Sequence, residues 1–129
     1  MKLLLDTHIW LKALGRPDSL SREIRRRLER PSNELLLSPV SIWEAANLAK
    51  RGRIITPPSF PEWLGNALLQ LPVQEVPIDF SVVKEASRIQ LDQNDLGDLF
   101  LAATASVFDL TLVTEDQQLL SCEWLKTLG

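Results

Sequence analysis

Apolar residues fall along this chain in two rhythms: short unbroken runs, and stripes spaced three or four apart. An unbroken run of four to eight residues reads as a strand buried on both faces, and a spaced stripe reads as one face of a helix. Residues 2–6, containing Leu3-Leu4-Leu5, give the first strand. A helix from His8 to Leu14 follows and stops at Gly15. Asp18 or Ser19 is expected to cap a helix over about 20–30, with Leu20, Ile24 and Leu28 on one face. Pro31-Ser32-Asn33 is a turn, and Glu34-Leu35-Leu36-Leu37 a second strand. Ser38-Pro39 supplies an N-cap and a first-position proline for a helix to about Arg51, ended by Gly52.

Thr56-Pro57-Pro58-Ser59 reads as a loop, and about Pro61 to Leu69 as a helix. A short strand around Val73–Val76 is bounded by prolines, which suits a sheet edge. Asp79 can cap a helix over about 80–90, and Asn94 or Asp95 a long helix to about Phe108. Leu110–Thr114 is a strand, a short helix starts near Glu115, and a last strand falls near Trp124–Leu128. Strands alternating with helices imply parallel βαβ units with right-handed crossovers. The expected fold is one domain over residues 1–129, a three-layer α/β/α sandwich around four or five parallel strands.

Composition narrows the class without naming it. A hydrophobic content of 45% and a charged content of 24% are those of an ordinary soluble globular domain. The lone Cys122 excludes an intrachain disulfide and a cysteine-based zinc site, and is read as inert. The first apolar run is too short for a signal peptide, and no stretch approaches the ~20 apolar residues of a membrane span. The expected location is the cytoplasm. A net charge of −3 is a poor advertisement for nucleic-acid binding, but the average hides local groups. Arg22, Arg25, Arg26, Arg27 and Arg30 form one basic run, and Lys50, Arg51 and Arg53 another.

The chemistry lies in four carboxylates. Asp6, Glu44 and Asp116 each fall just past the carboxyl end of a predicted strand, the edge at which open α/β sheets bind ligands. Taken singly, each has a structural reading. Asp6 can cap the next helix, Glu44 can be a solvated first-turn glutamate, and Asp116 can favour the macrodipole behind a Thr114 cap. Asp98 differs, because it enters a helix, Leu99-Phe100-Leu101-Ala102-Ala103-Thr104-Ala105, that is apolar nearly all round. A carboxylate there needs a partner, a hydrogen bond or a metal. Asp95 shares its face at i, i+3 spacing. Two carboxylates ~4 Å apart repel by roughly 4 kcal/mol at an effective dielectric of about 20. A hard divalent cation relieves this, which points to Mg²⁺ or Mn²⁺ and to phosphodiester hydrolysis. His8, the sole histidine, offers too little nitrogen for zinc.

The ordered set Leu3-Leu4-Leu5-Asp6-Thr7-His8, Ser38-Pro39-Val40-Ser41-Ile42-Trp43-Glu44, Lys50-Arg51-Gly52-Arg53-Ile54, Asp95-Leu96-Gly97-Asp98 with Leu101–Ala105, and Thr111–Asp116 resembles the PIN-domain ribonucleases, and among them the VapC-type toxins of toxin–antitoxin pairs. No one segment is specific; the order and coverage carry the likeness. The resemblance implies a metal-dependent endoribonuclease acting on RNA, a homodimer, and a small antitoxin that inserts a segment near the active site. It implies that Asp6, Asp98 and Asp116 face the metal, that Glu44 acts through a coordinated water, and that Asp95 and Thr114 support them. The chain departs from the common Asp-Pro-x-Asp-Arg with Asp95-Leu96-Gly97-Asp98-Leu99. The missing arginine removes a phosphate or carboxylate contact, and Gly97 is expected to loosen the helix start.

Other residues follow from these. His8 is assigned a structural or supporting role. Lys50 and Arg51, on the Glu44 helix, are the candidate RNA-phosphate contacts. The arginine run reads first as a solvated surface. Trp10, Trp43, Trp63 and Trp124 can stack bases but read first as core or interface. Two rival functions stand beside the nuclease: a catalytically inactive PIN-like module that binds RNA or protein, and a phosphoacceptor receiver domain. The receiver would need adjacent acids after the first strand and a late lysine at a strand end, which Asp6-Thr7 and Thr114-Glu115 do not supply.

Overall fold

A computed structural model of the chain describes residues 1–54, 59–92 and 95–129. The expected loop residues Thr56, Pro57 and Pro58 and the alternative cap Asn94 lie outside the described residues. The elements are β1 (Lys2–Leu5), α1 (Thr7–Gly15), α2 (Arg22–Glu29), β2 (Glu34–Leu37), α3 (Pro39–Lys50), α4 (Phe60–Gln70), β3 (Gln74–Glu75), α5 (Phe80–Arg88), α6 (Leu96–Phe108), β4 (Thr111–Val113), α7 (Gln117–Leu120) and β5 (Thr127–Leu128). The five strands form one sheet in the order β3-β2-β1-β4-β5, and every pairing is parallel.

The leucine runs explain the layers. Successive strand residues point to opposite faces. Leu3, Leu5, Leu37 and Val113 go to one side, where they meet Ile9 and Trp10 of α1, Ile24 of α2, Ala45 of α3 and Ala67 of α4. Leu4, Leu36 and Leu112 go to the other, onto Leu101, Ala102 and Ala105 of α6 and Leu119 of α7. A sheet covered on both faces requires strands without a polar face, and that is how β1 reads. Beyond α6, the outer helix α5 packs Val82 and Ala86 against Ala103. Leu99 joins this apolar cluster.

Most boundaries match the expectation, including the edge position of β3; β5 forms the opposite edge. The start of α2 does not. Pro17–Ser19 forms a 3₁₀ turn, and Ser21, rather than Asp18 or Ser19, caps the helix by accepting a hydrogen bond from Ile24 N at 3.1 Å. Asp95 is the cap of α6, accepting from Asp98 N at 3.0 Å. Nor does Gly97 loosen that helix start, since α6 is helical from Leu96 and Gly97 is buried within its first turn. Trp10 is fully buried and meets Trp63 edge to face at 5.7 Å, and Phe60 stacks on Trp63 at 5.5 Å. Trp10 is therefore a core residue, unavailable for base stacking.

Leu4 has no exposed surface and sits between the sheet and α6. Leu4→Ala should cost about 2–5 kcal/mol of stability by urea unfolding. Leu69→Ala, on a side chain that is 81% exposed, should change it by less than about 0.5 kcal/mol.

Candidate functional site

The order β3-β2-β1-β4-β5 makes the chain leave β1 in one direction and return on its other side. The crevice between β1 and β4 is thus the switch point at which such sheets bind ligands. Asp6 follows β1 directly, and its N–H bonds Val113 O at 3.0 Å, so the ladder holds it one residue past the strand. Its carboxylate is buried, and each oxygen accepts one hydrogen bond. Oδ1 accepts from His8 N at 2.7 Å, capping α1, and Oδ2 accepts from the Thr114 hydroxyl at 2.7 Å. Asp6 therefore caps α1 with one oxygen and is tied to the end of β4 by the other.

Thr114 does not cap the last helix. Its buried hydroxyl donates to Asp6 and accepts from Asp116 N at 3.0 Å, tying the ends of β1 and β4 together. Asp116 is itself the cap of α7, its Oδ1 accepting from Gln118 N at 2.8 Å and Leu119 N at 3.2 Å. Three acids, Asp6, Asp95 and Asp116, thus each begin a helix, whose positive end partly offsets their charge.

Glu44 reaches in from the second turn of α3. Its Oε1 accepts a short hydrogen bond from Thr7 Oγ1, which also lies 2.8 Å from Ser41 Oγ. Thr7 and Ser41 are both buried. Burial raises the Glu44 carboxyl above the usual carboxylate range, the Thr7 hydrogen bond opposes that, and the charges of Asp95 and Asp6 add to it. Asp98 is the least satisfied of the set. Among the described residues no hydrogen bond or ion pair reaches its carboxylate. Burial, then the charges of Asp95, Asp116, Asp6 and Glu44, push it up to about 7.

One cavity of about 350 Å³ is lined by Asp6, Glu44, Asp95, Asp98 and Asp116. All four predicted acids and the fifth neighbour therefore come together. Lys12 and Glu115 reach the same cavity and bond each other at 2.7 Å across 103 positions of sequence. Sequence reasoning missed this pair, as it missed the roles of Thr7 and Ser41. The Asp-Thr-His opening was the available signal for Thr7. Arg51 lies outside the acid cavity, in an adjoining groove with Thr7, His8, Glu44, Asn47 and Leu48. Glu44, Asn47 and Arg51, at i, i+3 and i+7 spacing, therefore line one surface depression. Lys50 instead sits over the exposed Trp43 ring, 5.3 Å from its centroid.

The donor set fits a hard divalent cation. It is all oxygen, it sits at the sheet's binding edge, and it holds a carboxylate without a partner. Among the described residues no three acidic side chains stand close enough, as they lie, to enclose one ion.

This architecture and cavity define an α/β protein with an acid-lined pocket at a parallel-sheet switch point. The chain belongs to the PIN domain family, whose model matches residues 3–124. None of the curated proteins is significantly similar to it in sequence. Among solved structures it is similar to VapBC2 from Rickettsia felis bound to a promoter DNA fragment (TM-score 0.74, 17% identity, covering 99% of this chain and 98% of that one). It is also similar to DNA-bound VapBC from Salmonella typhimurium (0.74, 14%, 99% and 97%), and to VapBC-1 from nontypeable Haemophilus influenzae (0.69, 16%, 100% and 98%). At these identities the likeness is one of fold. Among the described residues no helix is long and apolar enough to cross a membrane.

The Asp98 shift makes a stability prediction. Its folded-state pKa lies above the unfolded value of 3.8, so the folded state holds the proton more tightly. The resulting stability is full below the unfolded pKa and is lost as pH rises through about 7. Metal-free protein should therefore melt at progressively lower temperature from about pH 4 to pH 7 through this group, and Asp98→Asn should flatten the slope. A variant with an unchanged pH slope would place the strain elsewhere.

Proposed function

We propose that this protein is a Mg²⁺- or Mn²⁺-dependent endoribonuclease of the VapC type, the toxin of a toxin–antitoxin pair. The observation that carries the reading is the convergence of Asp6, Glu44, Asp98 and Asp116, from four separate segments, on one cavity at the switch point. Family membership and the VapBC neighbours support it. In this reading Asp6, Asp98 and Asp116 hold the metal, and Glu44 acts on it through water. Bound there, a divalent ion supplies charge neutralisation and Lewis-acid activation of water and of the phosphoryl oxygen.

The chain's own residues do the rest. Thr114 fixes Asp6 in one orientation, as supporting hydrogen bonds do for metal ligands. Asp95 and Asp116 are held as caps, so neither has to be ordered when substrate arrives. Glu44, its pKa raised by burial and its Oε1 held by Thr7, is kept in one position at the cavity, from which it would act through a coordinated water. Arg51, in the groove beside Glu44, is placed to bind an RNA phosphate, and Lys50 to add to it from the Trp43 side. The same reading carries a homodimer, a small antitoxin partner and a cytoplasmic location.

The test is cleavage of tRNA and rRNA with and without Mn²⁺. Wild type should cut only with metal, and Asp6→Asn, Asp98→Asn and Asp116→Asn should each lose roughly 10²-fold or more. Equal cutting by wild type and variants would sink the site, and no cutting by wild type would favour the inactive binding module. Arg51→Ala should weaken RNA binding across sequences and lower the salt slope by about 1, measured by titration at several ionic strengths.

A further inference from the structure

Gly97 stands inside the first turn of α6, one residue before Asp98, and is buried. Glycine is a poor helix residue, and its backbone here is not in the left-handed region that would require it. Space is what requires it. A Cβ at this position would fall 2.3 Å from Glu44 Oε2, 2.6 Å from its Cδ and 2.9 Å from Oε1, all well inside contact distance. The three nearest atoms all belong to that one carboxylate. On its other side Glu44 Oε1 is bonded to Thr7 Oγ1. The carboxylate is thus gripped between the Thr7 hydroxyl, at the start of α1, and the bare backbone of α6.

We propose that Gly97 is a positioning residue for Glu44: its missing side chain is the slot that holds the glutamate carboxylate against Thr7 in the lining of the acid cavity. The inference rests on the nuclease reading for its purpose, though not for its geometry. A side chain at position 97 would collide with the far end of a flexible residue rather than with backbone. Glu44 can swing away at little cost to the fold, and what is lost is its place in the site. Gly97→Ala should therefore separate stability from metal binding, which a merely structural glycine would not do.

The experiment uses the full chain as wild type, Gly97→Ala, Glu44→Ala and the double variant. A crystal structure of metal-free Gly97→Ala should show the Glu44 carboxylate off Thr7, with a melting temperature within a few degrees of wild type. Mn²⁺ calorimetry should show affinity reduced roughly 10- to 100-fold, the size expected when the support of a metal site is lost. In the Glu44→Ala background the same glycine substitution should change Mn²⁺ affinity by less than about twofold, because the group it displaces is gone. Glu44 still seated on Thr7 in the variant would overturn the proposal, as would an affinity loss that persists without Glu44. Should Gly97→Ala not fold, pairing it with Glu44→Asp, a shorter side chain that clears the added methyl, must restore folding; a pair that stays unfolded overturns the proposal. A wild type that neither binds Mn²⁺ nor cuts RNA would overturn the nuclease reading alone, since the position of Glu44 in the metal-free variant still decides the role of Gly97.

Discussion

Mutual repulsion among carboxylates is the constraint to which the rest of this structure answers. Six acids line one cavity, of which Glu115 is paired with Lys12, and among the other five each like charge raises the cost of ionising the rest. Left to themselves, such groups would splay apart or hold protons. The fold answers with short, specific hydrogen bonds. Asp6, Asp95 and Asp116 each accept backbone N–H groups at the first turn of a helix, and Asp6 also takes the Thr114 hydroxyl. The helix ends lend positive potential where it offsets most. Asp98 receives none of these bonds and sits in the field of the other four acids, so it carries the residual cost. That cost marks the point at which a cation would be most welcome.

The helix caps and the candidate site are therefore one device. A capping aspartate is usually read as a local matter worth about 1 kcal/mol. Here the same atoms that start α1, α6 and α7 also fix where the acids stand. The starts of α1, α3 and α7 gather at one sheet edge because β1, β2 and β4 each hand the chain to a helix on the same side, whereas α6 follows α5 and brings its start there by packing. Strand order thus accounts for Asp6, Glu44 and Asp116, and the docking of α6 adds Asp95 and Asp98.

What the sequence made legible follows from what is local. Unbroken runs such as Leu3-Leu4-Leu5 declare a strand covered on both faces, and Ser38-Pro39, Asp79 and Asp95 declare helix starts. The strand-end acids were legible for the same reason, because their position is set by neighbours in the chain. The start of α2 was misplaced because Asp18, Ser19 and Ser21 are locally equivalent caps, and only the Pro17–Ser19 turn selects the last. The Lys12–Glu115 pair and the Thr7–Glu44 bond join residues far apart in the chain, and no pattern of periodicity encodes them. Gly97 is the instructive case. Local propensity reads it as a weakness in a helix, whereas the packing shows a space reserved for a side chain from α3.

The bond between Thr114 and Asp6 spans 108 positions, nearly the length of the chain. During synthesis the first of these residues leaves the ribosome long before the second, and β1 waits for β4 as its neighbour. A growing chain lacking its last segment has Asp6 without Thr114, and lacks Asp116 altogether. Whatever the cavity does, a nascent or truncated chain cannot do it. The cavity is therefore complete only when the last strands have docked, so its assembly is tied to closure of the whole sheet.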